Sequence, residues 1–525
     1  MLSENPLVTV QTLRLLARSR VLWPMRPDRA LGAVGALARY GITPAAGYAA
    51  GAARHPERPA IIDDRGTLTY RDVHVRTARL ARALADRGVG AGSRVALLCR
   101  NSRTPVEVAT ACAKLGADVV LLNTGLSPEQ TGAVLTEQRA DVLVVDDDFP
   151  EQRAAAPDGC RVLPGWTSDG TGVEELITAG GSAALPLRPP AGRLIVLTSG
   201  TTGTPKGARR PPPKGFGPIG AILSKIPLRA GEPVLLTAPL FHTWGFAGAQ
   251  LAVLLGSSMI LHRRFDPAVA LAALGEHHVT TLIAVPVMLQ RLLEVSDRGD
   301  TSSLRVVAVS GSPLTASLAQ RAMAAFGPVL YNLYGSTEVS WVAVATPEEM
   351  RTSPGTVGSP PLGTTLRILG DDDRPVPQGE TGRIFVANDM LFEGYTREGV
   401  STESVDGLMG TGDIGLIDSH GLLHVTGRSD DMIVSGGENV HPGPVEEVIG
   451  GWSEVREVAV VGVADEDYGQ RLAAHLVLAP GAELDEDTVR DRIRQRLARF
   501  AVPRDVCFHD ELPRNPTGKI VKRAL

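Results

Sequence analysis

Hydroxyl groups, glycines and one lysine are concentrated in the eleven residues from Leu197 to Gly207, which begin at the last residue of an apolar stretch. The apolar stretch, Leu194 to Leu197, is typical of a buried strand. Glycines let backbone N–H groups approach anionic oxygens closely, and a lysine adds a mobile positive charge. The pattern therefore predicts a phosphate-binding loop. Its members after Leu197 are Thr198, Ser199, Gly200, Thr201, Thr202, Gly203, Thr204, Pro205, Lys206 and Gly207.

Two other interpretations of this run are less suitable. A Walker loop needs Gly, four residues and then Gly-Lys-Ser/Thr, whereas here Pro205 precedes Lys206 and Gly207 follows it. A flexible connection is common for serine- and glycine-rich segments, but the complete pattern after a strand disfavours it.

A second group of reactive side chains lies between Tyr331 and Glu338. Tyr334 can stack on adenine. Glu338 can bind Mg²⁺, which prefers a few carboxylates together with phosphate oxygens. A simple turn with an N-capping threonine is the structural alternative. The other polar or small members of this motif are Asn332, Gly335, Ser336 and Thr337.

Three shorter motifs carry further charged or small residues. Ser310-Gly311-Ser312 follows the predicted strand Arg305 to Val309, and its small side chains leave room for a purine. Asp413 ends Gly410 to Asp413, and Arg428 and Asp430 follow 15 and 17 positions later. Lys519 lies near the end of the chain, after Pro516-Thr517-Gly518. Taken singly, each also suits a turn, a surface ion pair or a solvated tail.

Together and in this order, the motifs resemble those of the adenylate-forming superfamily, which includes acyl-CoA synthetases, luciferases and peptide-synthetase adenylation domains. The resemblance covers nearly everything after the N-terminal extension. It implies an α/β fold, with a large N-terminal domain of several subdomains and mostly parallel sheets at residues 1–429. A small mobile α+β lid, 431–525, would follow the hinge residue Asp430.

The resemblance also implies a two-step reaction that uses ATP, Mg²⁺ and CoA. Lys519 would lie between the substrate carboxylate and the α-phosphate, Glu338 would bind the metal, and Thr198 and His242 would complete the catalytic group. Asp413 and Arg428 would contact the ribose. The remaining ATP contacts would come from Ser199 to Thr204, Lys206, Ser310 to Ser312, Asn332 and Tyr334 to Thr337. Ser435, Gly436 and Gly437 resemble the segment that a rotated lid offers to CoA, with Gly437 facing the pantetheine arm.

The segment Ala238 to Phe246 resembles the family's entrance to the acid pocket. We expect the pocket to be formed by His242, Thr243, Trp244, Phe246 and Gly311. His242 stands where amino-acid activators usually place an aspartate, which argues against amino acids. We expect a medium- or long-chain fatty acid, with an aryl acid as the alternative. The compact stretch 427–439 has no insertion, which favours CoA over a carrier protein as acceptor. A catalytically silent nucleotide-binding protein is a more distant alternative.

The bulk properties agree with a globular enzyme. The chain has 525 residues, 43% hydrophobic content and a net charge of −5, so several domains are expected and nucleic acid is an unsuitable partner. Four widely spaced cysteines suit free thiols in the cytosol. The apolar runs are too short to span a membrane, and we expect a cytoplasmic protein. The arginine-rich extension at residues 1–45 is expected either to pack on its own domain or to contact the inner membrane surface.

Two local expectations concern regions without a catalytic motif. Asp158 to Pro190 is rich in glycine, proline and polar residues, which favours a connection between subdomains. Arg209 to Pro218 is rich in proline and glycine, whereas many relatives continue there directly into a helix, so the geometry beyond the phosphate loop is left open.

Overall fold

The computed structural model describes residues 6–22, 26–198, 205–397, 399–435, 438–465 and 469–525. Helices and strands are numbered below in chain order. Within the described residues the strands form four sheets, two of them large and mostly parallel. This architecture confirms the expected α/β class.

The first sheet has six strands, of which only the edge strand β8 is antiparallel. In spatial order they are β6 (Arg161–Pro164), β5 (Val142–Val145), β3 (Arg94–Leu98), β4 (Asp118–Leu121), β7 (Leu194–Thr198) and β8 (Lys206–Arg210). The helices of this part are α4 (Tyr70–Ala85), α5 (Arg103–Leu115), α6 (Pro128–Glu137), α7 (Pro150–Ala154) and α8 (Val173–Ala179). Helix α4 begins at Tyr70 because Thr69 and Asp72 cap each other's backbone N–H groups.

The interpretation of 158–190 as a connection between subdomains is wrong. The segment supplies β6 at one edge of the first sheet and helix α8, which packs on α4. Glu174 of α8 accepts from Arg76 of α4 at 2.7 Å. Short polar loops on either side of these two elements gave the segment its loop-like composition.

The second sheet has eight strands and is parallel except at its two edges. In spatial order they are β14 (Ala343–Ala345), β13 (Leu330–Tyr334), β12 (Val306–Val309), β11 (Thr281–Ala284), β9 (Val234–Leu236), β10 (Met259–Ile260), β1 (Pro59–Asp63) and β2 (Gly66–Thr69). Its helices are α9 (Gly217–Leu223), α10 (Thr243–Leu254), α11 (Pro267–Glu276), α12 (Pro286–Glu294), α13 (Ala316–Phe326) and α14 (Pro347–Thr352).

The two large sheets together position the polar motifs. Thr198 ends β7, Ser310 follows β12 and Tyr334 ends β13. Ligands bind outside the carboxyl ends of parallel strands in open α/β sheets. The motifs therefore lie at strand ends, where a ligand site is expected.

The third sheet is wholly antiparallel and supplies the residues expected at the ribose. Its strands are β15 (Thr365–Leu369), β16 (Gly382–Ala387), β17 (Ser404–Val405), β18 (Leu408–Ile417) and β19 (Leu423–Arg428). Asp413 of β18 is directly opposite Arg428 of β19. The register of this hairpin brings together two side chains that are far apart in the sequence.

The last sheet has its own apolar core, made by residues between 433 and 506. Its strands are β20 (Ile433–Ser435), β21 (Glu438–Val440), β22 (Val455–Asp465), β23 (Gly469–Leu478) and β24 (Asp505–Phe508), with helices α15 (Pro442–Gly450) and α16 (Glu486–Arg494). We call this unit the lid. Its rotation about Asp430 stays a prediction.

Three helices precede the first strand: α1 (Pro6–Arg18), α2 (Pro27–Tyr40) and α3 (Pro44–Arg54). Helix α1 packs on α9, and Leu16 is 2% exposed there, so the extension does pack on its own domain. It also carries six of the twelve exposed large apolar side chains of the described residues. These six are Leu7, Val10, Leu13, Leu22, Leu31 and Val34.

No helix within the described ranges is both long enough and apolar enough to cross a bilayer. Contact of the extension with a membrane surface, like the cytoplasmic location, stays a prediction. All four cysteines are free thiols; Cys99 and Cys112 are buried, and Cys160 and Cys507 are half-buried.

Candidate active site

A cavity of about 1480 Å³ lies between the large sheets, the third sheet and the lid. It gathers most of the residues that the sequence predicts for ATP, acid and metal. Those that line it are Thr198, Lys206, His242, Thr243, Trp244, Ser310, Gly311, Ser312, Asn332, Tyr334, Gly335, Ser336, Thr337, Glu338, Asp413, Arg428, Asp430 and Lys519. Residues separated by more than 300 positions therefore share one site.

The two ends of the phosphate loop form a hairpin. Thr198 of β7 is opposite Lys206 of β8, and its hydroxyl donates to the Lys206 carbonyl at 3.4 Å. The Lys206 ammonium lies 5.8 Å from the centre of the Tyr395 ring. The middle of the loop, Ser199 to Thr204, lies outside the described residues.

Glu338 is held by hydroxyl groups. Its Oε2 accepts from Ser336 Oγ at 2.8 Å, and its Oε1 accepts from the Tyr395 hydroxyl at 2.9 Å. Each carboxylate oxygen keeps a second lone pair. Glu338 can therefore hold one Mg²⁺ with phosphate oxygens as further ligands, which is the ligand set that Mg²⁺ prefers. Within the described residues no group of three or more His, Cys, Asp or Glu side chains is placed to hold a metal ion.

Asp413 lies between a phenol and a guanidinium. Its Oδ2 accepts from the Tyr334 hydroxyl at 2.5 Å, and its Oδ1 lies 3.7 Å from Arg428 Nη1. Burial raises the pKa of Asp413, while Tyr334, Arg428 and Lys519 favour the ionised form. Arg428 also donates to Asp430 at 2.7 Å. Tyr334 is thereby fixed with its ring in the cavity.

His242 is the N-cap of α10, and its Nδ1 accepts from the Trp244 N–H at 3.4 Å. Burial, assisted by the positive charge of Lys519, lowers the pKa of His242 to about 4. The imidazole is therefore neutral at pH 7, with the proton on Nε2. Gly311, at φ +95°, approaches this ring, since a Cβ there would lie 3.6 Å from His242 Cε1.

The apolar end of the cavity is formed by one face of α10 together with α9. Trp244 is fixed by a hydrogen bond from its indole N–H to the Ala284 carbonyl at 3.0 Å. Phe216, Ile219 and Ile222 also line the cavity. Phe246 does not line the cavity, because it points into the core of the first sheet with Phe241. Its assignment to the acid pocket is wrong, since the predicted segment forms a helix and only one face of it reaches the pocket.

Two functional candidates were missed by sequence reasoning. Tyr395 contacts Glu338 from 57 positions away, and no spacing pattern connects the two. Arg210 is 7% exposed and donates to the Thr337 carbonyl and to Ser340 Oγ, so it holds the loop that carries Glu338. The proline- and glycine-rich segment after it forms a loop before α9 begins at Gly217.

Lys519 comes from the lid and reaches the same cavity. Asn515 Oδ1 accepts from the backbone N–H groups of Thr517 and Lys519, both at 3.0 Å, which closes a tight turn. Pro516 packs against Gly125. The lid is also joined to the large domain by an ion pair between Arg456 and Glu294 at 2.8 Å. The described orientation therefore brings Lys519 to the site of the other motifs.

Comparison with known proteins identifies the same family that the sequence motifs resemble. The model of the AMP-binding enzyme family matches residues 48–396, and that of the AMP-binding enzyme C-terminal domain matches 444–519. The chain belongs to the AMP-binding enzyme family. This confirms the resemblance to adenylate-forming enzymes on which the residue roles were predicted.

Similar members of this family include two curated ligases and a solved structure. A feruloyl-CoA synthase of Amycolatopsis sp is 35% identical over 475 residues, covering 89% of this chain and 95% of that protein. A 2-succinylbenzoate–CoA ligase of Geobacillus kaustophilus is 35% identical over 486 residues, covering 90% and 95%. The o-succinylbenzoate CoA synthetase of Bacillus subtilis, solved with its acyl-adenylate intermediate, has a TM-score of 0.80 at 29% identity, covering 91% and 97%.

Of the predicted CoA-binding residues of this AMP-binding enzyme, only Ser435 lies within the described part of the chain. Ser435 lies in β20 of the lid, paired with Gly469, and does not line the cavity. Gly436 and Gly437 lie outside the described residues. Their role therefore stays a prediction that needs a different lid orientation.

Gly518→Ala is expected to slow acyl-adenylate formation about tenfold or more, because Gly518 has φ +83° and a Cβ there would lie 2.3 Å from Val287 Cγ1. The substitution should disfavour the orientation that brings in Lys519. Gly481→Ala is the matched control, since Gly481 has φ +75° but open space around it. Separate assays of the two half-reactions check this: equal slowing by both substitutions would contradict the role of the Val287 contact.

Proposed function

We propose that this protein is an ATP-dependent acid:CoA ligase that forms AMP. The observation that carries the proposal is the convergence of Lys519, Glu338, Asp413 and the two described ends of the phosphate loop on one cavity with an apolar end. These groups match the needs of a reaction in which a carboxylate must approach a triphosphate. The family membership and the names of the similar ligases support the same reaction.

In the first step, a carboxylate oxygen attacks the α-phosphorus of ATP, and the bond to the pyrophosphate group breaks. Both reactants are anions, so a bridging ammonium lowers the barrier in a partly dry cleft. Lys519 supplies that ammonium. Neutral His242, with its Nε2 proton, is suited to donate a hydrogen bond to the substrate carboxylate without neutralising it.

The nucleotide is held by the remaining residues of the site. Lys206 and the backbone of the phosphate loop bind the β- and γ-phosphates, and Tyr334 stacks on the adenine. Asp413 accepts from the ribose hydroxyls. Mg²⁺ at Glu338 neutralises phosphate charge when it is bound.

In the second step, the CoA sulfur attacks the acyl carbonyl carbon, and the bond to the AMP oxygen breaks. Lys519 must leave for this step, and the segment from Ser435 to Gly437 takes its place when the lid turns about Asp430. The short connection between β19 and β20 supports CoA as acceptor. Transfer to a carrier protein is the alternative.

We propose an aryl acid as the substrate class, with a medium- or long-chain fatty acid as the second candidate. The two similar ligases named for feruloyl-CoA and 2-succinylbenzoate support the first. The apolar and aromatic lining supplied by Phe216, Ile219, Ile222 and Trp244 suits a flat ring. The exposed apolar residues of the extension support the second, because they suit contact with a lipid surface.

A panel of acids supplied with ATP, Mg²⁺ and CoA tests the proposal. We expect acyl-CoA and AMP in equal amounts by mass spectrometry, with cinnamate- or benzoate-type acids used at least about tenfold faster than C8 to C16 fatty acids. Faster turnover of the fatty acids would reverse the substrate order. Failure to form a thioester with any acid, when an acyl-adenylate does form, would exclude CoA as the acceptor.

A further inference from the structure

A second cleft lies outside the active site, between helices α2 and α4. It has a volume of about 590 Å³, and its charged or polar lining side chains are Arg39 and Tyr40 of α2 with His74 and Arg82 of α4. The residues of α2 and α4 recur there with helical spacing. The cleft is thus a built feature of the two facing helices.

Positive charge accumulates at this cleft without a compensating acid. Lys114 of α5 is fully buried beside it, and its ammonium donates to the His74 carbonyl at 2.8 Å and to Thr77 Oγ1 at 2.7 Å. Among the ion pairs of the described residues, none involves Arg39, Arg82 or Lys114. Burial and the charges of Arg39 and Arg82 lower the pKa of Lys114 to about 7. These groups repel each other and lack an anion.

Two polar atoms of the cleft residues are also left without a partner. Arg39 Nε and His74 Nδ1 are both buried and make no hydrogen bond within the described residues. Among the described residues, Arg39 donates to the Pro186 carbonyl at 3.2 Å, and its guanidinium carbon lies 5.0 Å from the centre of the Tyr40 ring. An unpaired buried donor is costly, so an acceptor in the cleft would be favourable.

Space for such an acceptor exists above Gly35. A Cβ built on this residue meets no atom within 4 Å, although Gly35 lies in the middle of α2. Glycine weakens a helix interior, so its presence there leaves room at a cost in helix stability. The open space adjoins the Arg39 side chain, which is one helical turn further along.

We propose that this cleft binds a phosphate group through Arg39 and Arg82. Guanidinium groups match phosphate oxygens in geometry as well as in charge, which makes phosphate more suitable than a simple halide. The phosphate can belong to a soluble metabolite or to a lipid headgroup. Exposed Leu31 and Val34 on the same helix suit the lipid source. The inference does not depend on the proposed ligase activity.

Occupation of the cleft would act close to the catalytic cavity. Helix α2 ends at Tyr40, and Ile42, Thr43 and Pro44, which follow it, line that cavity. A phosphate that bridges α2 and α4 therefore stabilises one wall of the catalytic cavity.

An NMR signal from a residue of the cleft distinguishes phosphate binding in the cleft from phosphate binding at the phosphate loop. In protein labelled with ¹³C-histidine, the ring resonance that His74→Gln removes is followed while inorganic phosphate is added. We expect a saturable shift, with an apparent Kd raised about tenfold or more in Arg39→Gln or Arg82→Gln. Gly35→Leu should abolish the shift by filling the cleft without changing its charge. Arg71→Gln should leave it unchanged, because Arg71 pairs with Glu57 at 2.7 Å and does not line the cleft.

If an arginine variant fails to fold, Gly35→Leu still tests whether phosphate binds in the cleft. This variant should fold, because leucine strengthens the helix and its side chain enters open space. No shift of the His74 resonance, or an equal shift in Gly35→Leu, would overturn the proposal. Flotation with phosphatidylglycerol and phosphatidylcholine vesicles then distinguishes a lipid headgroup from a soluble metabolite as the source of the phosphate. If the protein binds the anionic vesicles and Gly35→Leu abolishes that binding, the phosphate belongs to a lipid headgroup. If the protein binds inorganic phosphate but not the vesicles, the phosphate belongs to a soluble metabolite.

Discussion

Replacing Lys519 by alanine is expected to lower the rate of acyl-adenylate formation by about three orders of magnitude. One ammonium about 4 Å from an anion at an effective dielectric constant near 20 contributes roughly 4 kcal/mol. At about 1.4 kcal/mol for each tenfold change in rate, this contribution gives the expected loss. The ammonium is needed only in the first step, where it offsets the repulsion between the carboxylate and the triphosphate. Thioester formation from supplied acyl-adenylate should therefore remain close to that of the unmodified protein.

Lys522→Ala is the matched control for this prediction. Lys522 lies three positions away in the same segment, but its ammonium pairs with Glu446 of the lid at 2.7 Å. It should slow neither half-reaction more than severalfold. If Lys519→Ala slowed both half-reactions equally, the lysine would be needed for lid structure rather than for adenylation.

Glu338→Gln is expected to reduce acyl-adenylate formation by roughly two to three orders of magnitude, because it removes the charge that holds Mg²⁺ against the phosphates. Glutamine keeps the size of the side chain and can still accept from Tyr395. The measurement is the initial rate as a function of Mg²⁺ concentration. The variant should need a higher Mg²⁺ concentration for half of its own maximal rate.

The control for Glu338 is Glu393→Gln. Glu393 is a partly exposed carboxylate next to the same region, paired with Arg193 at 2.7 Å and absent from the cavity wall. Its neutralisation should leave the Mg²⁺ dependence unchanged. An unaltered Mg²⁺ dependence in Glu338→Gln would assign the metal to another ligand.

Much of the large domain follows from local sequence. Apolar runs predicted strands at 194–197 and 305–309, and the structure has them as Leu194–Thr198 and Val306–Val309. The reason is that strands buried on both faces must be apolar throughout, and glycine or proline marks their ends. The phosphate loop and Ser310-Gly311-Ser312 were found for a related reason, since both directly follow such strands.

Contacts between distant segments were not predictable in the same way. Tyr395 donates to Glu338, and Arg210 donates to Thr337 and Ser340. Both contacts depend on tertiary packing, which leaves no periodic pattern in the sequence. Phe246 was misplaced because its neighbours Trp244 and Ala247 do reach the pocket, and only the helix geometry separates the faces. The close approach of Gly518 to Val287 likewise leaves no pattern in the sequence.

The central claim is that this cavity joins a carboxylic acid to the α-phosphate of ATP. Acid-dependent exchange of labelled pyrophosphate into ATP, in the presence of Mg²⁺ and the absence of CoA, measures that step alone. The account predicts exchange with at least one aryl or fatty acid, none without an acid, and a loss of about three orders of magnitude in Lys519→Ala. Absence of exchange with every acid of both classes, from folded protein that binds ATP, would contradict it and favour a catalytically silent nucleotide-binding protein.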